Sequence, residues 1–368
     1  MNSKTAGLYL HIPFCASKCP YCDFYSYRSD DEAKQRYAEA LIREIKRKSE
    51  ELGCKADTLY IGGGTPSVLS YALLCDIIDE ARRDFGIDSG EITLECNPHG
   101  LTKEFFDAVS SAGVNRISLG LQSASDTERK KLGRRADREE IKRVISYINE
   151  AGIDNISLDV MLGIPDSTAD TFRKTLDFCI GCEPKHISGY MLKIEENTPF
   201  YKLRDSLNLP DEDAVCGMYL EMCRYLGENG YKQYEISNFA KEGCESRHNL
   251  KYWNCEEYLG IGPSAHSFID GRRFYYPADT EKFIISPETA EDGRGGDFEE
   301  YAMLRLRLSQ GLVNEQVKER FGFPISSQIR NRAELFADAG YLTNDSEGIR
   351  LNEKGFLISN KIISELIY

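Results

Sequence analysis

Short apolar or β-branched segments recur at 8–12, 57–61, 91–95, 116–120, 155–160 and 186–191, each separated from the next by a stretch long enough for a helix. The clearest intervening helix is expected over 138–150. Ile141, Val144, Ile145 and Ile148 fall on one of its faces, and Gly152 stands just past its end. Strand and helix alternating in this way predict a parallel sheet with helices packed on it, and the spacing predicts an α/β fold built on a partial (β/α)6 barrel.

Polar residues fall where such a barrel gathers its chemistry. Gly62-Gly63-Gly64-Thr65-Pro66 follows the second segment, Glu95 closes the third, Gln122 follows the fourth and Asp159 sits near the end of the fifth. All are at carboxyl ends of strands, so residues far apart in sequence are expected to line one mouth.

Past residue 200 the pattern changes. Tyr231 to Phe239 and Arg247 to Trp253 are rich in aromatics, and Tyr258-Leu-Gly-Ile-Gly-Pro-Ser-Ala-His266 is punctuated by glycine. This stretch is expected to be a strand-and-loop extension of the barrel, followed by a polar linker over 278–296. The last segment shows helices, a short hairpin over 341–351 and a final helix, the order of a small winged-helix-like α+β domain. The division expected is therefore 1–235 for the barrel and its cysteine loop, 236–296 for the aromatic extension and linker, and 297–368 for the C-terminal domain. From Asp297 onward there are 9 Lys/Arg against 11 Asp/Glu, so the winged helix lacks the basic face that phosphate contacts need.

The formal net charge is −14, which argues against nucleic acid as a partner. The apolar run 8–14 is broken by His11 and Pro13 and is too short for a signal peptide or a membrane span, so a cytoplasmic protein is expected. Cysteine adds the sharpest signal. Cys15, Cys19 and Cys22 stand on one loop in Cys-x3-Cys-x2-Cys spacing, directly after the first segment. Structural zinc takes four ligands, and no second Cys/His arm of matching spacing is nearby. The 12 cysteines show no pairing rhythm, which favours reduced thiols over a disulfide framework. A [4Fe-4S] cluster held by these three thiolates, with one iron left open, accounts for the loop. Cys179 and Cys182 form a Cys-x2-Cys pair on a helix, where Cys179 is expected to pack in the core. Cys216 and Cys223 are expected to be packing thiols too.

Taken together, His11-Ile-Pro-Phe-Cys15, Ile61-Gly-Gly-Gly-Thr-Pro66, Glu95-Cys-Asn-Pro98, Asn115-Arg-Ile-Ser-Leu-Gly-Leu-Gln-Ser123 and Tyr234-Glu-Ile-Ser-Asn238 resemble the radical S-adenosylmethionine enzymes related to oxygen-independent coproporphyrinogen III oxidase. The resemblance implies that Cys15, Cys19 and Cys22 hold the cluster and that S-adenosylmethionine chelates the open iron. By motif match, Tyr9, Gly63, Gly64, Thr65, Glu95, Gln122, Arg134 and Asp159 then line the cofactor pocket. No catalytic residue is assigned.

Within that group the chain is most similar to the haem-chaperone branch. The oxidase branch carries a further cysteine two residues after the third, where this chain has Phe24, and a long extension over its substrate, where eight residues precede Tyr9. His248-Asn-Leu-Lys-Tyr-Trp253 matches the His-Asn-x-x-Tyr-Trp motif of the chaperone branch, which implies haem as a further cofactor with His248 as its iron ligand and His266 as the next candidate. The partners so implied are haem, a haem-acceptor protein in respiration, met peripherally at a membrane, and an electron donor for the cluster. The alternative is the oxidase itself, decarboxylating coproporphyrinogen III in porphyrin biosynthesis. The residues leave open whether radical turnover accompanies haem carriage.

Overall fold

The computed structural model describes residues 5–368. Residues 1–4, which open the expected barrel segment, lie outside the described residues. Six parallel strands run in sequence order, β1 (Thr5–Ile12), β2 (Lys55–Gly63), β3 (Glu91–Cys96), β4 (Arg116–Gln122), β5 (Asn155–Leu162) and β6 (His186–Met191). Beyond β6 the sheet continues antiparallel through β8 (Asn238–Ala240) to β7 (Lys232–Gln233). On the other side β9 (Tyr258–Ile261) pairs parallel with β1, and β10 (His266–Ile269), β11 (Arg272–Tyr275) and β12 (Ala290–Arg294) follow antiparallel.

Alternation along the strands explains how this sheet is stabilised. Leu8, Leu10, Ile12, Leu59, Ile61, Leu94, Ile117, Leu119, Leu158 and Ile187 are fully buried. They form one hydrophobic core with Leu41 and Ile45 of the Asp31–Leu52 helix, Leu74, Ile77 and Ile78 of the Tyr71–Phe85 helix, and Ile141, Val144 and Ile148 of the Arg138–Glu150 helix. At ~1.5–3 kcal/mol for each such side chain, this layer between sheet and helices dominates the favourable side of folding. The residues between them face the other way. Tyr9, Thr58, Tyr60, Glu91, Thr93, Glu95, Arg116, Ser118, Ser157, Asp159, His186 and Ser188 turn into the barrel, where several hydrogen-bond across neighbouring strands.

The expected helix is found at Arg138–Glu150, capped by the Asp137 side chain on the Glu140 amide and followed by Gly152 at φ 81°. Two expectations are corrected. The 278–296 segment is not a linker. It forms the helix Thr280–Ile285, N-capped by Asp279 with Phe283 buried, and then β12. Its polarity belongs to an outer edge of the sheet. Within the aromatic extension, Arg247–Trp253 is helical, because Ser246 caps the Asn249 amide and the Glu91 carboxylate takes the amides of Arg247 and His248. The C-terminal segment folds as the helices Asn314–Phe321 and Ser327–Asp338 beside a small sheet of β13 (Leu312–Val313), β14 (Leu342–Asn344) and β15 (Gly348–Leu351). Among the described residues no helix is long and apolar enough to cross a membrane.

Candidate functional site

The cysteine loop is tied to the carboxyl end of β1 and to the glycine turn after β2. Cys15 N–H donates to Tyr27 O at 3.0 Å and Tyr27 N–H to Pro13 O at 3.0 Å, which closes the loop at its base. Gly64 N–H and Thr65 N–H donate to Ile12 O and Phe14 O, both at 2.8 Å, so the two segments share one rim. Glycine is required there. A Cβ on Gly64 would lie 2.5 Å from Phe14 O, and one on Gly63, at φ 106°, would lie 2.5 Å from the His11 ring.

Above this rim opens a cavity of about 430 Å³, walled by Cys15, Cys19 and Cys22, by Gly63, Gly64 and Thr65, and by Glu95, Gln122, Arg134 and Asp159. Tyr60, Ser118, Phe24, Met161 and Tyr190 also line it. All three thiols are free and partly exposed. Among the described residues no three His, Cys, Asp or Glu side chains converge tightly enough to hold one metal ion.

The two carboxylates differ in their surroundings. Glu95 accepts from Tyr60 Oη at 2.8 Å and Gly63 N–H at 3.3 Å, yet burial pushes its carboxyl up to about 7. Asp159 is also raised by burial, opposed by hydroxyls of Ser188, Ser118 and Ser157 and by the Arg116 guanidinium. Arg116, 2% exposed, has one long hydrogen bond, to Thr93 Oγ1 at 3.5 Å. Its charge sits beneath both carboxylates.

Gln122 follows a register shift in β4 and adopts φ 67°, a backbone state that costs a non-glycine residue roughly 1 kcal/mol. Gly120 makes room for this turn. A Cβ there would lie 3.0 Å from Gln122 Nε2 and 3.3 Å from Arg134 Nη1. Arg134 donates through Nη2 to Tyr21 Oη at 2.9 Å, while its buried Nε has no partner. A permanently charged guanidinium in the wall of a cavity suits a carboxylate ligand.

The structure places three of the candidate residues elsewhere. Tyr9 is inside the barrel below the cavity, its hydroxyl 3.0 Å from His11 Nδ1 and its ring against Tyr60. His248 is fully buried under the barrel. Its Nδ1 is 2.8 Å from Thr58 Oγ1 and its Nε2 2.8 Å from Tyr252 Oη. Burial, with Lys251 nearby, pushes the imidazole down to about 3, and no ring nitrogen is left for a metal. In this arrangement both ring nitrogens of His248 are engaged, because the helix that carries it forms the barrel floor. His266 is exposed on β10, stacked on Tyr275, and is not in the cavity wall. Burial raises the Cys179 thiol far above its usual range and Cys182 to about 11, as packing thiols require.

Residues not anticipated from the sequence are Tyr60, Ser118, Arg116 and His186. Their signal was present as polar residues at every second position within otherwise apolar strands.

Comparison with known proteins agrees with this geometry. Residues 9–179 match the Radical SAM superfamily and residues 297–358 the HemN C-terminal domain. The chain is 32% identical over 372 residues to a protein named heme chaperone HemW from Bacillus subtilis, covering 98% of each chain. It is 34% identical over 369 residues to the heme chaperone HemW of Escherichia coli, covering 97% of each. Among solved structures, the coproporphyrinogen III oxidase HemN from Escherichia coli, a radical SAM enzyme, superposes with a TM-score of 0.85 at 21% identity, over 99% of this chain and 90% of that one.

Proposed function

Because the chain belongs to the HemW family within the radical SAM superfamily, we propose that it is a haem chaperone that carries a [4Fe-4S] cluster and S-adenosylmethionine and passes haem to an acceptor protein. The observation that carries the cofactor part is the donor set of one cavity, three free thiols on one wall and the Arg134 guanidinium with two carboxylates on the others. The residues fit the group. Cys15, Cys19 and Cys22 would each hold one iron, leaving the fourth for the methionyl end of S-adenosylmethionine. When bound, the cluster supplies one-electron reduction of the sulfonium.

The chain's own residues bind and orient. Arg134 would take the methionyl carboxylate with its guanidinium, Glu95 and Asp159 would accept from the amine and the ribose hydroxyls, and Gln122, turned by its positive φ, would complete the polar wall. The bare backbone at Gly63 and Gly64 permits close approach. Phe24, 69% exposed, and Tyr190, 44% exposed, offer flat apolar surface at the mouth. Haem would meet that face, since His248 has no free nitrogen while the floor helix is in place.

The oxidase reading is set aside on Phe24, which occupies the place of that branch's further cysteine. We place the protein in the cytoplasm, with an electron donor for the cluster and an acceptor met peripherally at a membrane. Anaerobic reconstitution followed by haem titration and coproporphyrinogen turnover on the same sample tests the proposal. Haem should bind with defined stoichiometry and no decarboxylated porphyrinogen should form. Protoporphyrinogen IX in the turnover mixture would overturn the chaperone assignment.

A further inference from the structure

Five histidines occur in the chain, and His186 on β6 has so far been given no role. It is 1% exposed and lies inside the barrel. Its Nδ1 is 2.8 Å from Ser157 Oγ and its Nε2 is 2.8 Å from Tyr234 Oη. Tyr234 belongs to the Tyr-Glu-Ile-Ser-Asn stretch, and its oxygen receives the Ser246 N–H at 3.3 Å, at the cap of the floor helix. At the other end Ser157 Oγ lies 3.4 Å from Asp159 Oδ1.

Hydrogen counting orients this series. The Ser246 amide can only donate, so Tyr234 oxygen is its acceptor. The Tyr234 hydroxyl hydrogen then has one partner among the bonds present, His186 Nε2, which must be the unprotonated nitrogen. Nδ1 therefore carries the hydrogen and donates to Ser157, whose own hydrogen has two acceptors in reach, Asp159 Oδ1 at 3.4 Å and Ser188 Oγ at 3.3 Å; Ser188 in turn hydrogen-bonds Asp159, so both routes end on that carboxylate. In the opposite orientation the Tyr234 hydroxyl would be buried with no acceptor, which is the costly outcome. Burial, with Arg116 beside it, keeps the ring neutral and so keeps one nitrogen available as acceptor.

We propose that Ser246, Tyr234, His186 and Ser157 form a directed hydrogen-bond chain ending on Asp159, and that His186 is a positioning residue that aims this carboxylate at the ligand and favours its charged form. The inference rests on the reading of the cavity as an S-adenosylmethionine site. Each donor polarises the next, so the chain acts as a unit. It also ties the cavity to the barrel floor. Displacing the Arg247–Trp253 helix would withdraw the first donor and weaken the last.

Two measurements test it. The first needs no ligand: ¹⁵N NMR of the histidine rings in the full chain, with His186 assigned by the signal lost in His186→Asn, should show Nδ1 protonated and Nε2 bare. The reverse tautomer, or a protonated ring, would overturn the chain. The second is a double-mutant cycle on reconstituted protein, with cluster content and melting temperature checked for each variant. His186→Ala should weaken S-adenosylmethionine binding about five- to tenfold in the wild-type background, and less than about twofold once Asp159→Asn has removed the charge. His186→Asn, whose amide nitrogen falls near the position of Nδ1, should restore most of the loss. Equal losses in both backgrounds would overturn the inference while leaving the cavity reading intact. If Asp159→Asn and Glu95→Gln both bind as the wild type does, the cavity reading fails and the inference falls with it.

Discussion

Glu95 offers the sharpest test of the cavity, because its environment makes ligand affinity depend on pH. Its carboxyl is pushed up to about 7 by burial, so the site is largely protonated in the acid range. A cationic ligand with N–H and O–H donors binds the ionised form better. At pH 6 only about one site in eleven is ionised, and with the neutral form binding about tenfold more weakly, affinity should be roughly fivefold below its plateau. Glu95→Gln keeps the shape and the bond from Tyr60 Oη, gives up the longer one from Gly63 N–H, and removes the charge. It should cost little at pH 6 and, from the ~1.5–3 kcal/mol of a charge-assisted bond, about tenfold or more at pH 7.5. Calorimetric titration of anaerobically reconstituted protein at pH 6, 6.75 and 7.5, in buffers of different ionisation enthalpy, reads affinity and proton release together. Other groups also release protons, so the difference between the two proteins is the measurement. The same pH slope and proton count in Glu95→Gln as in wild type would refute the reasoning.

Cys19→Ala should lose the cluster's absorption and its iron and sulfide, whereas Cys179→Ala should reconstitute fully, because Cys179 is a core thiol far from ionising. His248→Ala removes two buried hydrogen bonds and strands Thr58 and Tyr252, so thermal unfolding should show a loss of about 2–5 kcal/mol. Haem titration of the surviving folded fraction should give wild-type affinity, and loss of haem binding there would return His248 to the ligand role. Glu235, 1% exposed, is likewise pushed up to about 7 by burial. The folded state holds that proton more tightly than the unfolded chain, so its contribution is full below pH ~4.5 and is lost as pH rises to ~7, a span of up to about 3 kcal/mol. Glu235→Gln should flatten this part of the denaturant-derived stability profile, and an unchanged slope would contradict the assignment.

Much of the site was legible because it is local or obeys the strand period. The cysteine loop is a single turn, and Glu95, Gln122 and Asp159 lie at strand ends, which a barrel must bring together. The floor helix was not legible. It is seven residues long, too short for an amphipathic period, and it forms where Glu91, far earlier in the chain, receives its first amides. The same distance hid the fate of His248. Its motif suggests a ligand, whereas Thr58 and Tyr252 leave it without a free nitrogen. Arg116 and His186 were visible in position, but their roles follow from partners on other strands.

The twelve-stranded sheet does not close on itself, so it must end in two free edges. Such edges invite pairing with another chain and aggregation. One end is β7, only two residues long. The other is β12, read from its composition as a tether. Glu291, Asp292, Gly293 and Arg294 are all exposed there, Gly293 takes φ 89°, and the pairing with β11 slips in register. An incoming strand would have to strip water from two carboxylates and follow an irregular backbone. The polar residues that disguised this strand thus oppose pairing of another strand at this edge.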